Sequence, residues 1–289
     1  MLSFTDGMRH YRGYSEKRGC KVYKAFCLDG FKFNIYKKIY SSMNWWEPFK
    51  KCNETGKKNL NTNTELIDSY LNDLKDSKGI IDGSKLSNDW FPQIQADVFI
   101  SHSHKDLNTA LNLAGMLETI GLTPFIDSCI WGYADNLQKA IDIQYCKNDN
   151  SNYFDYQKRN YSTSHVHMML TIALSKMIYN TECLIFLKTT KSVYPKDDIP
   201  EKNKMATLSP WIYTELEMTN LIEKRTLETH RKKRIIVEAE TEPKLKIKHS
   251  DKFRNIAPLS ANNLFMWLKN VSENKLPKHK ALDMLYSNI

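Results

Sequence analysis

Three short polar clusters in this chain hold the side chains from which chemistry is built. Ser101-His102-Ser103-His104 follows the apolar run Val98-Phe99-Ile100, and Asp127-Ser128-Cys129 follows Pro124-Phe125-Ile126. The third is Glu215, four residues after Trp211. Hydroxyl, imidazole and carboxylate are the groups of acid–base, nucleophilic and electrostatic catalysis. A Ser-His-Asp triad from Ser101, His102 and Asp127 is conceivable, but no glycine-flanked nucleophile elbow supports it. Trp211 and Glu215 stack on one helix face, whereas Glu217 falls about 200° further round. By spacing alone, the plainer reading of Glu215 is a surface acid that favours a helix N-terminus. His165 and His167, two apart on a helix, face different ways and make a poor metal pair. The sequence has neither a Walker-type nor a Gly-x-Gly-x-x-Gly phosphate loop. No metal site is expected.

The elements around these clusters explain their placement. Val98 to Ile100 suits a strand buried on both faces. Leu107, Ala110, Leu111, Ala114, Leu117 and Ile120 mark one face of a helix, and Gly121 fits the position just past its end. With Pro124 to Ile126 as a second strand, residues 96–133 read as a βαβ unit. Polar residues just past the carboxyl ends of such strands line the ligand crevice of open α/β sheets.

Further along, Asp135 to Cys146 reads as a second helix, and 147–164 as an insertion loop. A helical pattern resumes at His165 and runs through Val166, Met169, Leu170, Ala173, Leu174, Met177 and Ile178. Leu184 to Leu187 is a third buried strand. Ser209-Pro210-Trp211 carries an N-cap with proline at the first helical position, opening a helix to about Glu228. Ile235 to Val237 is a fourth strand, and Ala261 to Asn270 a helix of the tail.

The region before this unit reads differently. Residues 1–60 are rich in aromatics and expected to fold, although Lys32 to Tyr40 suits a strand and a helix equally. Asn53 to Asn63 is a polar linker. A helix over 65–75, with Thr64 as its N-cap, precedes turn residues, which places a domain boundary between 76 and 95. The chain thus divides into an N-terminal region of unassigned fold, 1–90, and an α/β domain, 91–289.

Composition bounds the function. The 289 residues suffice for one large or two modest domains, and 41% hydrophobic with 26% charged residues describe an ordinary globular protein. No run approaches the length of a membrane span, and the N-terminus has no signal-peptide pattern. The net charge of +9 gathers partly at Lys50-Lys51, Lys57-Lys58, 231–234 and 244–252. These basic clusters alternate with acids and match no nucleic-acid motif, so a solvated basic face is expected rather than nucleic-acid binding. The six cysteines lack metal spacing and read as reduced thiols in a cytoplasm.

The order of elements over about 97–240 resembles the Toll/interleukin receptor (TIR) domain. Asp97-Val98-Phe99-Ile100-Ser101 resembles the family's first strand and Phe125-Ile126-Asp127 its second. Residues 128–136 stand where the family's ligand-closing and assembly loop follows the second strand. Ser209-x-Trp211-x-x-x-Glu215-Leu216 resembles the signature Ser-x-Trp-Cys-x-x-Glu-Leu. Ser-His-Ser-His and Trp-Gly-Tyr make the chain similar to bacterial TIR-like proteins rather than receptor or plant forms.

The resemblance implies a flavodoxin-like open parallel sheet with helices on both faces. It also implies an NAD glycohydrolase, with or without ADP-ribosyl cyclase activity, that cleaves the nicotinamide–ribose bond with the single glutamate Glu215. NAD is then the substrate, and no cofactor is expected. Ser101, His102, Asp127, Ser128, Trp131, Tyr133 and Trp211 are the expected substrate-binding residues, Trp131 as an exposed loop aromatic that stacks on a base or on a neighbouring subunit. Self-association through 128–136, an effector that senses the product, and a cytoplasmic nucleotide signal in antiphage defence complete the expectation. Two other readings stand beside it: a non-enzymatic TIR interaction module, and a nucleoside-processing enzyme acting on a different base–sugar bond.

Overall fold

A computed structural model describes residues 24–39, 49, 70–131, 134–148, 153–195, 205–207, 209–222 and 256–287. Five strands form one parallel sheet: β1 (Lys24–Asp29), β2 (Val98–Ser101), β3 (Pro124–Phe125), β4 (Cys183–Lys188) and β5 (Ile256–Ser260). Their order across the sheet is β3-β2-β4-β1-β5. Both β2 and most of β4 are buried along their length, as continuous apolar runs in a parallel sheet must be.

Side-chain alternation divides the core in two. Val98 and Ile100 of β2 pack with Cys183, Ile185 and Leu187 of β4 on one face. The helices α3 (Leu107–Thr119), α7 (Ala261–Glu273) and α8 (Lys278–Ser287) cover that face. Phe99, Phe125, Leu184 and Phe186 point the other way. They meet α2 (Gly83–Trp90), α4 (Ala134–Ile141), α5 (Tyr156–Asn180) and α6 (Pro210–Leu221). The remaining helix, α1 (Phe33–Ile39), follows β1 and stacks Tyr36 on Phe265, with ring centroids 4.0 Å apart.

The α/β class with helices on both faces is as expected, but the connectivity is not that of a flavodoxin-like chain. With β2, β3 and β4 counted as first, second and third, the 2-1-3 part of that order is present. The next place is taken by β1, from far upstream. It hydrogen-bonds β4 from Lys24↔Cys183 to Asp29↔Lys188 and β5 from Ala25↔Ile256 to Asp29↔Ser260. The boundary expected at 76–95 therefore does not set residues 24–29 apart from the sheet. Burial explains the placement: Phe26 and Leu28 are fully buried, and β1 screens the flank of β4 from water. The fourth strand expected at Ile235 to Val237 lies outside the described residues.

Two further expectations change. The helix expected from His165 begins at Tyr156, capped by Asp155, whose side chain accepts from Lys158 N at 2.8 Å. Its first turns are polar and so escape an apolar periodicity search. The helix expected over 135–146 leaves α-geometry at Asp142 and continues to Cys146 as a π-turn. There Asp142 accepts from Gln138 Nε2 (2.7 Å), Ser162 Oγ (2.7 Å) and Arg159 Nε (2.9 Å), tying this segment to α5.

Candidate active site

The chain leaves β2 for β3 on one side and returns to β4 on the other, so the strand order reverses at β2. The carboxyl end of such a switch point is where open α/β sheets bind ligands. Ser101 closes β2 there. Pairing of Val98 with Pro124 and Phe99 with Phe125 sets Ser101 level with Asp127, each two residues past a paired phenylalanine. Glu215 reaches the same edge from α6. Ser209 starts this helix, its hydroxyl accepting from Ile212 N at 3.3 Å with Pro210 next in line, as the sequence indicated.

Glu215 is no surface acid. Its relative exposure is 3%, and Oε2 is buried without a hydrogen-bond partner. Burial pushes its carboxyl well above the usual range, and Asp127 beside it pushes the same way. The Ser101 hydroxyl opposes that rise from close by, although Ser101 Oγ forms no well-shaped hydrogen bond. His102 is 6% exposed, with Nε2 lying 3.4 Å from Ser128 Oγ and Nδ1 unpartnered. Burial lowers its proton affinity despite the pull of Asp127, and the imidazole sits in the wall of the site. Ser101, His102, Asp127, Ser128 and Glu215 thus meet at one edge.

Sequence reasoning missed a second group that shapes this edge. Asp106, in the turn after β2, accepts from Thr189 Oγ1 at 2.5 Å and pairs with Lys191 Nζ at 3.3 Å. Lys191 also donates to Lys105 O at 3.0 Å. Ser192 Oγ donates to Leu187 O at 2.9 Å and accepts from Thr189 N at 2.9 Å. The loop leaving β4 is thereby folded on itself and clipped to the loop leaving β2, either side of the switch point. The usable signal was position: Thr189 to Ser192 directly follow a buried strand.

Other expected site residues fall elsewhere. Trp131 is 2% exposed rather than an exposed loop aromatic. Its Nε1 donates to Pro92 O at 2.8 Å, and its ring meets Phe91 and Phe125 edge-on at 5.7 and 5.0 Å. The segment preceding β2 covers it, so it stacks on no ligand here. Ser128, Cys129 and Ile130 are buried in the same helical turn, Asp127–Ile130. Trp211 packs edge-on against His167 of α5 at 5.2 Å, at the margin of the core. His104 is exposed in a short 3₁₀ turn. Tyr133 lies outside the described residues.

Cys129 is disulfide-bonded, whereas Cys27, Cys146 and Cys183 form no disulfide. This overturns the reading of all six cysteines as reduced, because sequence spacing does not show which thiols meet in space. The expected cytoplasmic setting loses that support. No group of three or more His, Cys, Asp or Glu side chains is arranged for a metal among the described residues.

Comparison with known proteins found no matching family, no similar curated protein and no similar solved structure.

Proposed function

We propose that this chain is a TIR-like enzyme that consumes NAD, breaking the nicotinamide–ribose bond with Glu215 as the catalytic carboxylate. The observation that carries the reading is Glu215 itself: a buried acid with an unpartnered oxygen, beside Ser101 and Asp127 at the switch point. Scission of the bond from ribose C1′ to the pyridinium nitrogen sends the electron pair to nitrogen, and nicotinamide leaves neutral. No acid has to protonate it. The ribose becomes oxocarbenium-like, and a carboxylate beside it stabilises that charge and holds the sugar hydroxyls. Water then gives ADP-ribose, the adenine ring a cyclic product, and another acceptor a transfer product. NAD binds as substrate, with Ser101, His102 and Ser128 lining the wall.

Self-association through 128–136, a downstream effector that senses the product, and a nucleotide signal in a bacterial cytoplasm belong to the same proposal. Among the described residues no helix is long and apolar enough to cross a membrane. Concentrated protein incubated with NAD should release nicotinamide and a ribosyl product resolvable by mass. Glu215→Gln should release neither.

The neighbouring acids Asp127 and Glu215 favour one second reading, a nucleoside-processing enzyme using a carboxylate pair at a neutral base–sugar bond. Turnover of nucleosides in place of NAD would select it. A purely adhesive TIR module would keep partner binding in both native and Glu215→Ala protein, and would turn over neither substrate.

A further inference from the structure

Helix α5 has two faces without charge, and only one of them is buried. Val166, Leu170, Ala173, Leu174 and Met177 enter the core. At about 100° per residue Met168 stands opposite that face. Between Tyr161 and Ser175, no residue within about 60° of Met168 carries a formal charge. From Asn160 to Asn180 the one formal charge is Lys176, about 80° from Met168 and so beside this stripe rather than in it. The outer side of a solvated helix is where charge is expected, and charged residues make up 26% of this chain. Here the outer side carries Tyr161, 71% exposed, and Ile172, 37% exposed. The hydroxyls of the stripe are satisfied within the helix. Ser164 Oγ donates to Asn160 O (2.8 Å), Thr171 Oγ1 to His167 O (2.8 Å) and Ser175 Oγ to Thr171 O (2.7 Å). Covering this face therefore strands none of their protons.

We propose that the outer stripe of α5 docks a second copy of this chain, which lays its own α5 antiparallel across it with a twofold axis at Met168. Two observations select a copy as the occupant. The first is size. With Met168 on Met168, the antiparallel register sets Tyr161 opposite Ser175, Ile172 opposite Ser164 and His165 opposite Thr171, each pair occurring twice. Every ring or branched chain thus meets a small partner, and the steps of four and three from Tyr161 through His165, Met168 and Ile172 to Ser175 are those of a helix-pairing seam. A parallel pair in register would set Tyr161 on Tyr161 and Ser164 on Ser164, bulk on bulk and gap on gap. The second observation is charge. Copies of a chain with net charge +9 repel, and a charge-free stripe lets them meet without setting like charges together. Four turns, about 21 Å long, cover less than the ~800 Å² per partner of a standard interface, so pairing is weak and sets in at about 10–100 μM. The inference does not depend on NAD cleavage.

Sedimentation velocity of the full chain, from micromolar to millimolar concentration, tests both the pairing and its register. The native protein should pass from monomer to dimer. Ile172→Glu and Ser164→Lys should each raise the dissociation constant by about tenfold or more, because each puts a charge into a dry contact. Both positions are exposed, so circular dichroism should stay native. The double variant should return to within about threefold of native, since the antiparallel register sets residue 164 of one copy against residue 172 of the other. Within one copy the two positions lie too far apart along the helix to pair. A chain still monomeric at millimolar concentration overturns the proposal. So does a dimer that either single variant leaves unchanged, as one formed through 128–136 would be, or a double variant no tighter than the singles. A monomer that binds phosphatidylcholine vesicles and loses them in Ile172→Glu also overturns it, assigning the face to lipid.

Discussion

Two buried acids on the same face of this sheet have opposite surroundings. Asp142, at the π-turn after α4, is 3% exposed and saturated: Gln138, Ser162 and Arg159 all donate to it. Glu215, equally buried on α6, has a free oxygen and an acid for a neighbour. Burial works to raise the proton affinity of Asp142, but the hydrogen bonds from Ser162, Arg159 and Gln138 together outweigh it and hold the group below the usual range. At Glu215 nothing outweighs burial. A carboxylate that holds a fold together is satisfied within the fold, whereas one that serves a ligand is left for the ligand to satisfy.

Substitutions at the two positions should break this contrast in different currencies. Glu215→Gln should lower the rate of NAD turnover by about 10²–10³-fold, the scale of losing a charge-stabilising group, with the fold intact by circular dichroism. Asp142→Asn should instead cost about 2 kcal/mol of stability in denaturant titration, since it weakens hydrogen bonds to a charged acceptor. Its turnover per folded molecule should stay within a few-fold of native. Asp106→Asn sits between them: about 1 kcal/mol of stability lost, with faster hydrogen exchange over Thr189 to Ser192 and a partial fall in turnover as that loop comes unclipped.

The pH dependence sharpens the contrast further. Glu215 has a raised proton affinity in the folded chain, so its contribution to stability is fully present in acid, below the ordinary value of 4.5, and is lost as pH rises towards the folded value. Glu215→Gln should therefore match native stability in acid and exceed it at neutral pH, by about 1 kcal/mol. Asp142 is depressed, so its contribution is present above the ordinary value of 3.8 and is lost as pH falls. The deficit of Asp142→Asn should accordingly be greatest at neutral pH and vanish in acid. The smallest effect expected is at Trp131→Phe, about 1 kcal/mol from the lost bond to Pro92 O, with NAD turnover kept.

What the sequence reveals and what it hides follow from the range of the forces involved. The ends of β2, β3 and β4 and the Ser209 cap rest on patterns within ten or so residues, and local periodicity and capping chemistry make them readable, whereas spacing alone reads the buried Glu215 as a surface acid. Strand β1 was hidden because Lys24 to Asp29 becomes a strand only when β4 and β5, more than 150 residues away, flank it. Trp131 reads as a loop aromatic until Phe91 and Pro92 arrive from an earlier segment to cover it. The clip between Asp106, Thr189 and Lys191 joins residues more than 80 apart, and no spacing rule reports such a meeting. The disulfide at Cys129 was hidden for the same reason.

The most direct test of the central claim measures nicotinamide release from NAD by concentrated native protein, Glu215→Gln and Asp142→Asn side by side, each normalised to its folded fraction. The contrast between the two acids predicts release by the native protein and by Asp142→Asn, and its loss in Glu215→Gln. Equal release by native protein and Glu215→Gln would contradict it.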